Sequence, residues 1–390
     1  MTSVSAADLT GRMKAFASAT ELASNDILAP SVSDPMTDFR LDLRLMFKRT
    51  NGPVRIEFDP TLTWTGGDAV QVLSASSLPL DQLPGNDSRR YFNWSDEVFG
   101  DDEHRLVARV DRLSIAYRQP SWSVQVGRQA VSWGNGLVFQ PLDLFSPFAP
   151  TTIDREFKPG VDSVLFETLV GNSNELQMLM IGRKHDVALE SPHTMALKWH
   201  TEFSGFSLDL IFAEHIGDDF AAFSLSLPIA GSLLRLETSR LCSESTCTMS
   251  GLANMDYTLS VGPALLYLFG EFYHNGFGLD QATDSVPDTL NERFARGEIF
   301  TLMKNYGSLG LNITWHPLWS QSFIYIENLE DNSGLIQTSV NYEPGDASRV
   351  QFGVSAPFGD NNTEFGTREF GDDFTSGGGA TWFLSIAYYF

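Results

Sequence analysis

Apolar and polar residues alternate with period two from one end of this chain to the other, and no stretch approaches the roughly 18 consecutive apolar residues that a membrane helix needs. The C-terminal segment shows the pattern clearly: Trp382, Leu384, Ile386, Tyr388 and Phe390 fall on one face, and Thr381, Phe383, Ser385, Ala387 and Tyr389 on the other. Near the other end, Phe39, Leu41, Leu43 and Leu45 oppose Arg40, Asp42 and Arg44, and the segment from Val54 to Asp59 repeats the alternation after a tight turn at Asn51 and Gly52. The spacing predicts strands over 8–19, 38–48, 54–65, 104–118, 121–128, 161–170, 174–184, 193–203, 205–214, 219–229, 231–240, 252–261, 263–274, 305–316, 321–329, 334–343, 347–357 and 379–390.

These are about 18 strands, and the gaps between them tend to alternate short and long. Short turns fall near 49–53, 119–120, 171–173, 204, 230, 262, 317–320 and 344–346. Long connections fall at 20–37, 66–103, 129–160, 241–251, 275–304 and 358–378, all at the opposite end, with a few short outer ones such as 215–218 and 330–333. A β-sandwich or soluble propeller would share the local alternation but not this one-sided asymmetry. The reading is all-β: a transmembrane antiparallel β-barrel of about 18 strands with long extracellular loops and an inward-folded third loop. Hydrophobic residues make up 42 % and mean hydropathy is -0.11, as expected when strands show lipid only at every second residue. At 390 residues a soluble protein would be divided into two or three domains, whereas a closed barrel of this length is one, here 7–390.

The net charge of -23 argues against a nucleic-acid partner, which needs a basic surface. The acid concentrates in expected loops, at Asp96, Glu97, Asp101, Asp102, Glu103, Asp372 and Asp373. Cys242 and Cys247 lie close together in an expected loop, which fits a small disulfide formed in an oxidising compartment and offers too few ligands for structural zinc. Val4, Ser5 and Ala6, followed by Ala7, Asp8 and Leu9, read as an export cleavage site. Residues 1–6 are then the end of a longer leader or an artificial start, and the mature chain begins near Ala7.

The C-terminal strand, ending on Phe390, resembles the closing strand of Gram-negative outer-membrane β-barrels. That resemblance implies an outer-membrane location, contact with outer-membrane lipids and lipopolysaccharide, and recognition of Phe390 by the barrel-assembly machinery. A second resemblance covers about 35 residues. Gly127, Arg128 and Gln129, then Trp133 and Gly134, then Pro141, Asp143 and Phe145, are similar to the porin-like superfamily that includes alginate-export channels and several uncharacterised outer-membrane families. The segment is also the third long connection, which in general porins folds into the lumen. The resemblance implies architecture rather than substrate.

In that setting Arg128, Trp133, Asp143, Asp154, Arg155, Glu156 and Lys158 of the third loop become candidates for a constriction. Opposed charges there would set up a transverse field, or else form a salt-bridge network that braces the barrel. Inward positions on the strands add Arg40, Arg44, Arg55, Arg112 and Lys198, with Arg118 and Arg235. Guanidinium pairs bidentately with carboxylate and phosphate, so this row points to an anionic solute. Neutralisation by Asp42, Glu57, Asp59, Asp209 and Glu237 is the competing reading. Trp133, Phe139, Phe145, Phe148 and Phe157 would suit a hydrophobic-substrate channel instead, and a non-conducting barrel that docks a periplasmic or surface partner protein is a third reading.

Histidines at 104, 185, 193, 200, 215, 274 and 316 show no metal spacing and no nucleophile with its base, so neither catalysis nor a metal or cofactor is expected. Residues 288–303 have partial helical spacing, consistent with a short helix on an outer loop. No energy-coupling plug is visible ahead of the second strand. The function expected is diffusion of a small or extended polar, anionic solute through a water-filled pore.

Overall fold

A computed structural model describes residues 7–23, 25–75, 87, 90–184, 193–243, 246–281, 286–370 and 374–390. The leader end at 1–6, His185, and the acidic pair Asp372 and Asp373 lie outside these. The strands are β1 (Ala7–Thr20), β2 (Met36–Asn51), β3 (Val54–Gly67), β4 (Ser95–Gly100), β5 (His104–Arg118), β6 (Trp122–Gln129), β7 (Val161–Val170), β8 (Asn174–Ile181), β9 (Thr194–Phe203), β10 (Phe206–His215), β11 (Asp218–Ile229) and β12 (Ser232–Cys242). They continue as β13 (Cys247–Val261), β14 (Ala264–His274), β15 (Asn305–His316), β16 (Trp319–Asn328), β17 (Gly334–Gly345), β18 (Ser348–Phe358), β19 (Arg368–Phe370), β20 (Phe374–Ser376) and β21 (Thr381–Tyr389). Two short helices, α1 (Asp68–Ala75) and α2 (Asp288–Arg296), belong to long connections.

Every strand from β1 to β18 except β4 pairs antiparallel with its neighbours, and β21 pairs with both β18 and β1. The result is a closed 18-stranded antiparallel barrel. Closure leaves no unpaired edge in the ring, which is what a hydrocarbon environment demands of a sheet. All eighteen expected strands are present, most within three residues of their expected limits. Alternation located them because a one-residue slip in register would turn every apolar side chain into the lumen.

β13 begins at Cys247, five residues before the expected Leu252. Cys242 and Cys247 pair in register and are joined by a disulfide, so the ladder continues into what was expected to be loop. The expected outer helix is present as α2, covering 288–296 of the expected 288–303. Strand β4 was not expected. It joins the upper part of β5, opposite β3, where β6 has already left the wall.

Outward positions are apolar and exposed, among them Leu41, Ile115, Met178, Phe212, Leu309 and Ile386. Aromatic residues flank the short turns: Tyr117 packs on Trp122 at 5.5 Å and Trp319 on Tyr342 at 4.3 Å. Such a girdle marks a membrane interface. The turn at Ala230 and Gly231 has positive φ at both positions, 49° and 88°, the primed geometry whose twist matches the flanking strands.

Candidate functional site

β6 ends at Gln129 and β7 begins at its register partner Val161, so the intervening residues leave the wall and return to it at one point. The first half of this loop fills one side of the barrel. Val131, Trp133, Leu142 and Phe145 pack on inward Leu179, Ile181, Ile211 and Leu241, while Val138 and Phe139 pack on Leu252, Tyr273, Tyr306 and Ile326. The apolar side chains of this segment are therefore buried against the inner faces of β7 to β17.

Two carboxylates of the opposite wall hold the loop tip. Glu271 of β14 accepts the backbone N–H groups of Leu137 at 2.7 Å, Val138 at 2.9 Å and Phe139 at 2.8 Å, and the Asn254 amide at 3.0 Å. Glu237 of β12 accepts the Asn135 N–H. A Cβ on Gly136 would lie 1.8 Å from the Phe139 carbonyl oxygen, so only glycine lets the backbone wrap the carboxylate this tightly.

With that side filled, open space remains against β1, β2, β3 and β5, as a cavity of about 690 Å3. Inward positions of these strands line up in cross-strand rungs, most of whose residues line the cavity. Phe16, Arg40, Thr65 and Arg105 form one, Lys14, Asp42, Thr63 and Val107 the next, and Arg12, Arg44, Thr61 and Arg109 the third. The descending half of the loop faces these rungs. Asp154 pairs with Lys14 at 2.9 Å and Arg40 at 3.4 Å, and Glu156 with Arg12 at 2.6 Å. The Phe157 ring lies between two guanidiniums, 4.7 Å from Arg12 and 4.2 Å from Arg44, which lets these like charges stand side by side in register. Burial works to raise the Asp154 carboxyl, but Lys14 and Arg40 outweigh it and hold it below the usual carboxylate range. Six guanidiniums line the cavity, from Arg12, Arg40, Arg44, Arg90, Arg109 and Arg296, against three carboxylates, from Asp42, Asp111 and Asp154. Even where burial depresses it most, at Arg90, the guanidinium falls only to about 9 and stays charged at neutral pH.

The structure thus brings together Arg40, Arg44, Asp154 and Glu156 of the residues expected at a constriction, and places the others elsewhere. Arg128 is a correction. It is fully buried, on the strand face shared with the exposed Val126, and carries ion pairs to Asp87 and to Asp162 at 2.8 Å. It also donates to the Phe92 and Val110 carbonyls and stacks on Trp94 at 4.7 Å. Arg128 braces the outer connection between α1 and β5 against the wall rather than facing the solute path.

Asp143 and Lys158 pair with each other inside the loop. Arg155 donates to the Thr152, Leu137, Ala149 and Pro150 carbonyls, pinning the loop to itself. Trp133 is 5 % exposed and donates its indole N–H to Gln177. Trp133 and Phe139 are both packed against the wall, whereas Phe145, Phe148 and Phe157 reach the cavity. Arg112 pairs with Asp111 and donates to the Lys158 carbonyl, and Lys198 pairs with Asp209 at 3.3 Å. Arg55, in register with Thr50 and Ala116 near a short turn, is not among the residues lining the cavity.

Sequence reasoning missed Arg12, Lys14 and Phe16, although they alternate inward on an expected strand. Arg90 comes from a connection without periodicity, and Arg296 ends helix α2, whose spacing marked a helix but not its reach to the cavity.

Outer loops close over the filled side. Glu298 accepts from His215 at 3.2 Å and Arg293 at 2.8 Å; burial opposes its charge, but His215, Arg293 and Arg296 outweigh it and hold the carboxyl at about 2. Glu364 accepts from Leu302 N–H at 2.7 Å, the Tyr306 hydroxyl at 2.6 Å and the Asn328 amide at 2.8 Å, and burial pushes it up to about 7. Its value in the docked loop lies above the ordinary 4.5, so docking is fully favoured below that and weakens as pH rises through about 7. Exchange of the Leu302 amide, corrected for its intrinsic pH dependence, should therefore accelerate as pH rises from about 4.5 to about 7 and level off above. Glu364→Gln should abolish that acceleration; its persistence in the variant would refute the assignment.

The described histidines have local partners, such as Asp209 for His200 and Asn305 for His274. No cluster of three or more His, Cys, Asp or Glu that could hold a metal occurs among the described residues.

No protein-family model and no curated protein matches this sequence. Solved structures do. The outer membrane protein OpdK from Pseudomonas aeruginosa superposes with a TM-score of 0.58 at 10 % identity, covering 98 % of each chain. OccAB1 from Acinetobacter baumannii gives 0.56 at 10 % identity, over 98 % of this chain and 96 % of the other. A BenF-like porin from Pseudomonas fluorescens Pf-5 gives 0.55 at 13 % identity, over 98 % of each. The chain has the fold of an outer-membrane porin. An 18-stranded barrel of this fold, apolar outside and ringed by aromatics, resides in the bacterial outer membrane.

Proposed function

We propose that this porin-like barrel is a channel through which small anionic solutes diffuse across the outer membrane, along the lane between the inserted loop and β1, β2, β3 and β5. The observation that carries the reading is the lining of the cavity: six guanidiniums against three carboxylates in a chain whose overall charge is -23. Guanidinium keeps its charge when partly dehydrated and binds carboxylate with two parallel hydrogen bonds, so it can replace part of a solute's hydration without trapping it. Two proteins of the same fold have been solved with carboxylate-bearing molecules, OpdK with vanillate and OccK2 (OpdF) with glucuronate.

Arg40 is the most accessible of these cations whose ion pairs are defined, with its side chain 33 % exposed and its guanidinium over Phe16 at 5.4 Å. In planar bilayers under a salt gradient, the wild type should show an anion-selective reversal potential. Arg40→Gln should reduce the anion-to-cation permeability ratio by about threefold, as expected when one charge is removed from a partly screened site. An unaltered ratio in Arg40→Gln would count against the lane as the filter, and absence of current under all conditions would favour a barrel that docks a partner.

A further inference from the structure

We propose that the basic lane is a dicarboxylate site, occupied by the chain's own Asp154 and Glu156 until a solute displaces them. The inference rests on the anion-channel reading and adds to it a ligand class and an internal competitor. Asp154 sits on Lys14 and Arg40, at 2.9 and 3.4 Å. Glu156 sits on Arg12 at 2.6 Å and accepts the Tyr389 hydroxyl at 2.8 Å. The Lys14 ammonium lies 3.9 Å from Glu156 as well, so one cation serves both carboxylates and they stand side by side. Two carboxylates spaced this way over three inward cations occupy the positions that the ends of a short aliphatic dicarboxylate would take.

Charge balance selects the dianion. Arg12, Lys14 and Arg40 face Asp42, Asp154 and Glu156, and of these acids only Asp42 belongs to the wall. When the loop carboxylates withdraw, three cations remain against one acid. A dianion restores neutrality, whereas a monoanion leaves a cation uncompensated in a lane partly shielded from water, where a lone charge is costly. The side chains of Asp154 and Glu156 are 22 % and 24 % exposed, while those of Arg12 and Lys14 are 5 % and 9 % exposed. The loop acids therefore keep contact with water and are the exchangeable partners, and Arg12 and Lys14 are the fixed ones. Arg12 Nε is buried without a hydrogen-bond acceptor, so the docked loop acids do not use every donor of this cation. The exchange makes and breaks no covalent bond.

The test is titration calorimetry of the detergent-solubilised full chain with succinate and with butyrate, alongside bilayer recording, with the heat-dependent gel mobility of the barrel confirming folding. Wild type should bind succinate about tenfold more tightly than butyrate. Asp154→Asn combined with Glu156→Gln should tighten succinate binding about tenfold further, because a site blocked by its own competitor has its apparent affinity reduced by the blocked fraction. Tyr389→Phe, which alters no formal charge, should move the affinity the same way by about two- to threefold; it carries the test if the double variant does not assemble. Unchanged or weaker succinate binding in these variants overturns the proposal, and so does butyrate binding as tightly as succinate. Either failure alongside anion-selective current removes the dicarboxylate site alone. Absence of current removes the channel reading, while tighter succinate binding in the variants would still uphold the site.

Discussion

Glu271→Ala should raise the single-channel conductance several-fold without unfolding the barrel. Three consecutive backbone N–H groups, of Leu137, Val138 and Phe139, converge on this one carboxylate at 2.7 to 2.9 Å. Hydrogen bonds to a charged acceptor contribute about 1.5 to 3 kcal/mol each, so the loop tip loses on the order of 5 kcal/mol of anchoring. The strand ladder around Glu271 is backbone and remains intact, because β14 pairs with β13 and β15 along its full length. With its tip released, the loop should withdraw from the inner faces of β7 to β17 and widen the passage. Glu271→Gln, which retains one acceptor oxygen, should fall between. Planar-bilayer recording of the three proteins checks this, and equal conductance would show that the loop does not limit flow.

Arg128→Ala should have the opposite profile, a large loss of stability with little change in selectivity. The guanidinium is 0 % exposed and is the shared partner of Asp87 and Asp162. Removing it leaves Asp162 buried without a cation, while Asp87 keeps Arg90 at 2.9 Å and Arg109 at 3.0 Å; breaking a buried pair in this way costs about 3 to 5 kcal/mol. Arg128→Lys keeps the charge but loses the planar fork that also reaches the Phe92 and Val110 carbonyls, so it should recover only part of the stability. The temperature at which the barrel loses its compact gel mobility measures the first effect, and the reversal potential measures the second. Unchanged stability with a shifted reversal potential would return Arg128 to the solute path.

These two residues also show where sequence reading succeeds and where it stops. Period-two alternation located all eighteen strands because one face of each must meet lipid. The inserted loop was legible because no ordinary outer loop carries Trp133, Phe139 and Phe145 among so many glycines and prolines. Arg128 was not legible, because its expected strand ended on it and its partners Asp87, Phe92 and Trp94 come from a distant connection without periodicity. Glu271 lay on an expected strand, but its partners are backbone amides, which carry no side-chain signature. Arg12 and Lys14 needed the closure of the ring to be placed: only the pairing of β1 with both β2 and β21 sets them beside Arg44, Asp42 and Tyr389.

The central claim is that solutes pass along β1, β2, β3 and β5 while the opposite side of the lumen is sealed by the inserted loop. Among the described residues there is no free cysteine, so single cysteines can report the path through their reaction with a charged, water-soluble thiol reagent during current recording. Thr63→Cys, on the cavity wall, should react and reduce the current. Ser308→Cys, at a position 3 % exposed on β15, should remain unreactive. Rapid block through position 308 with none through position 63 would contradict this assignment of the path.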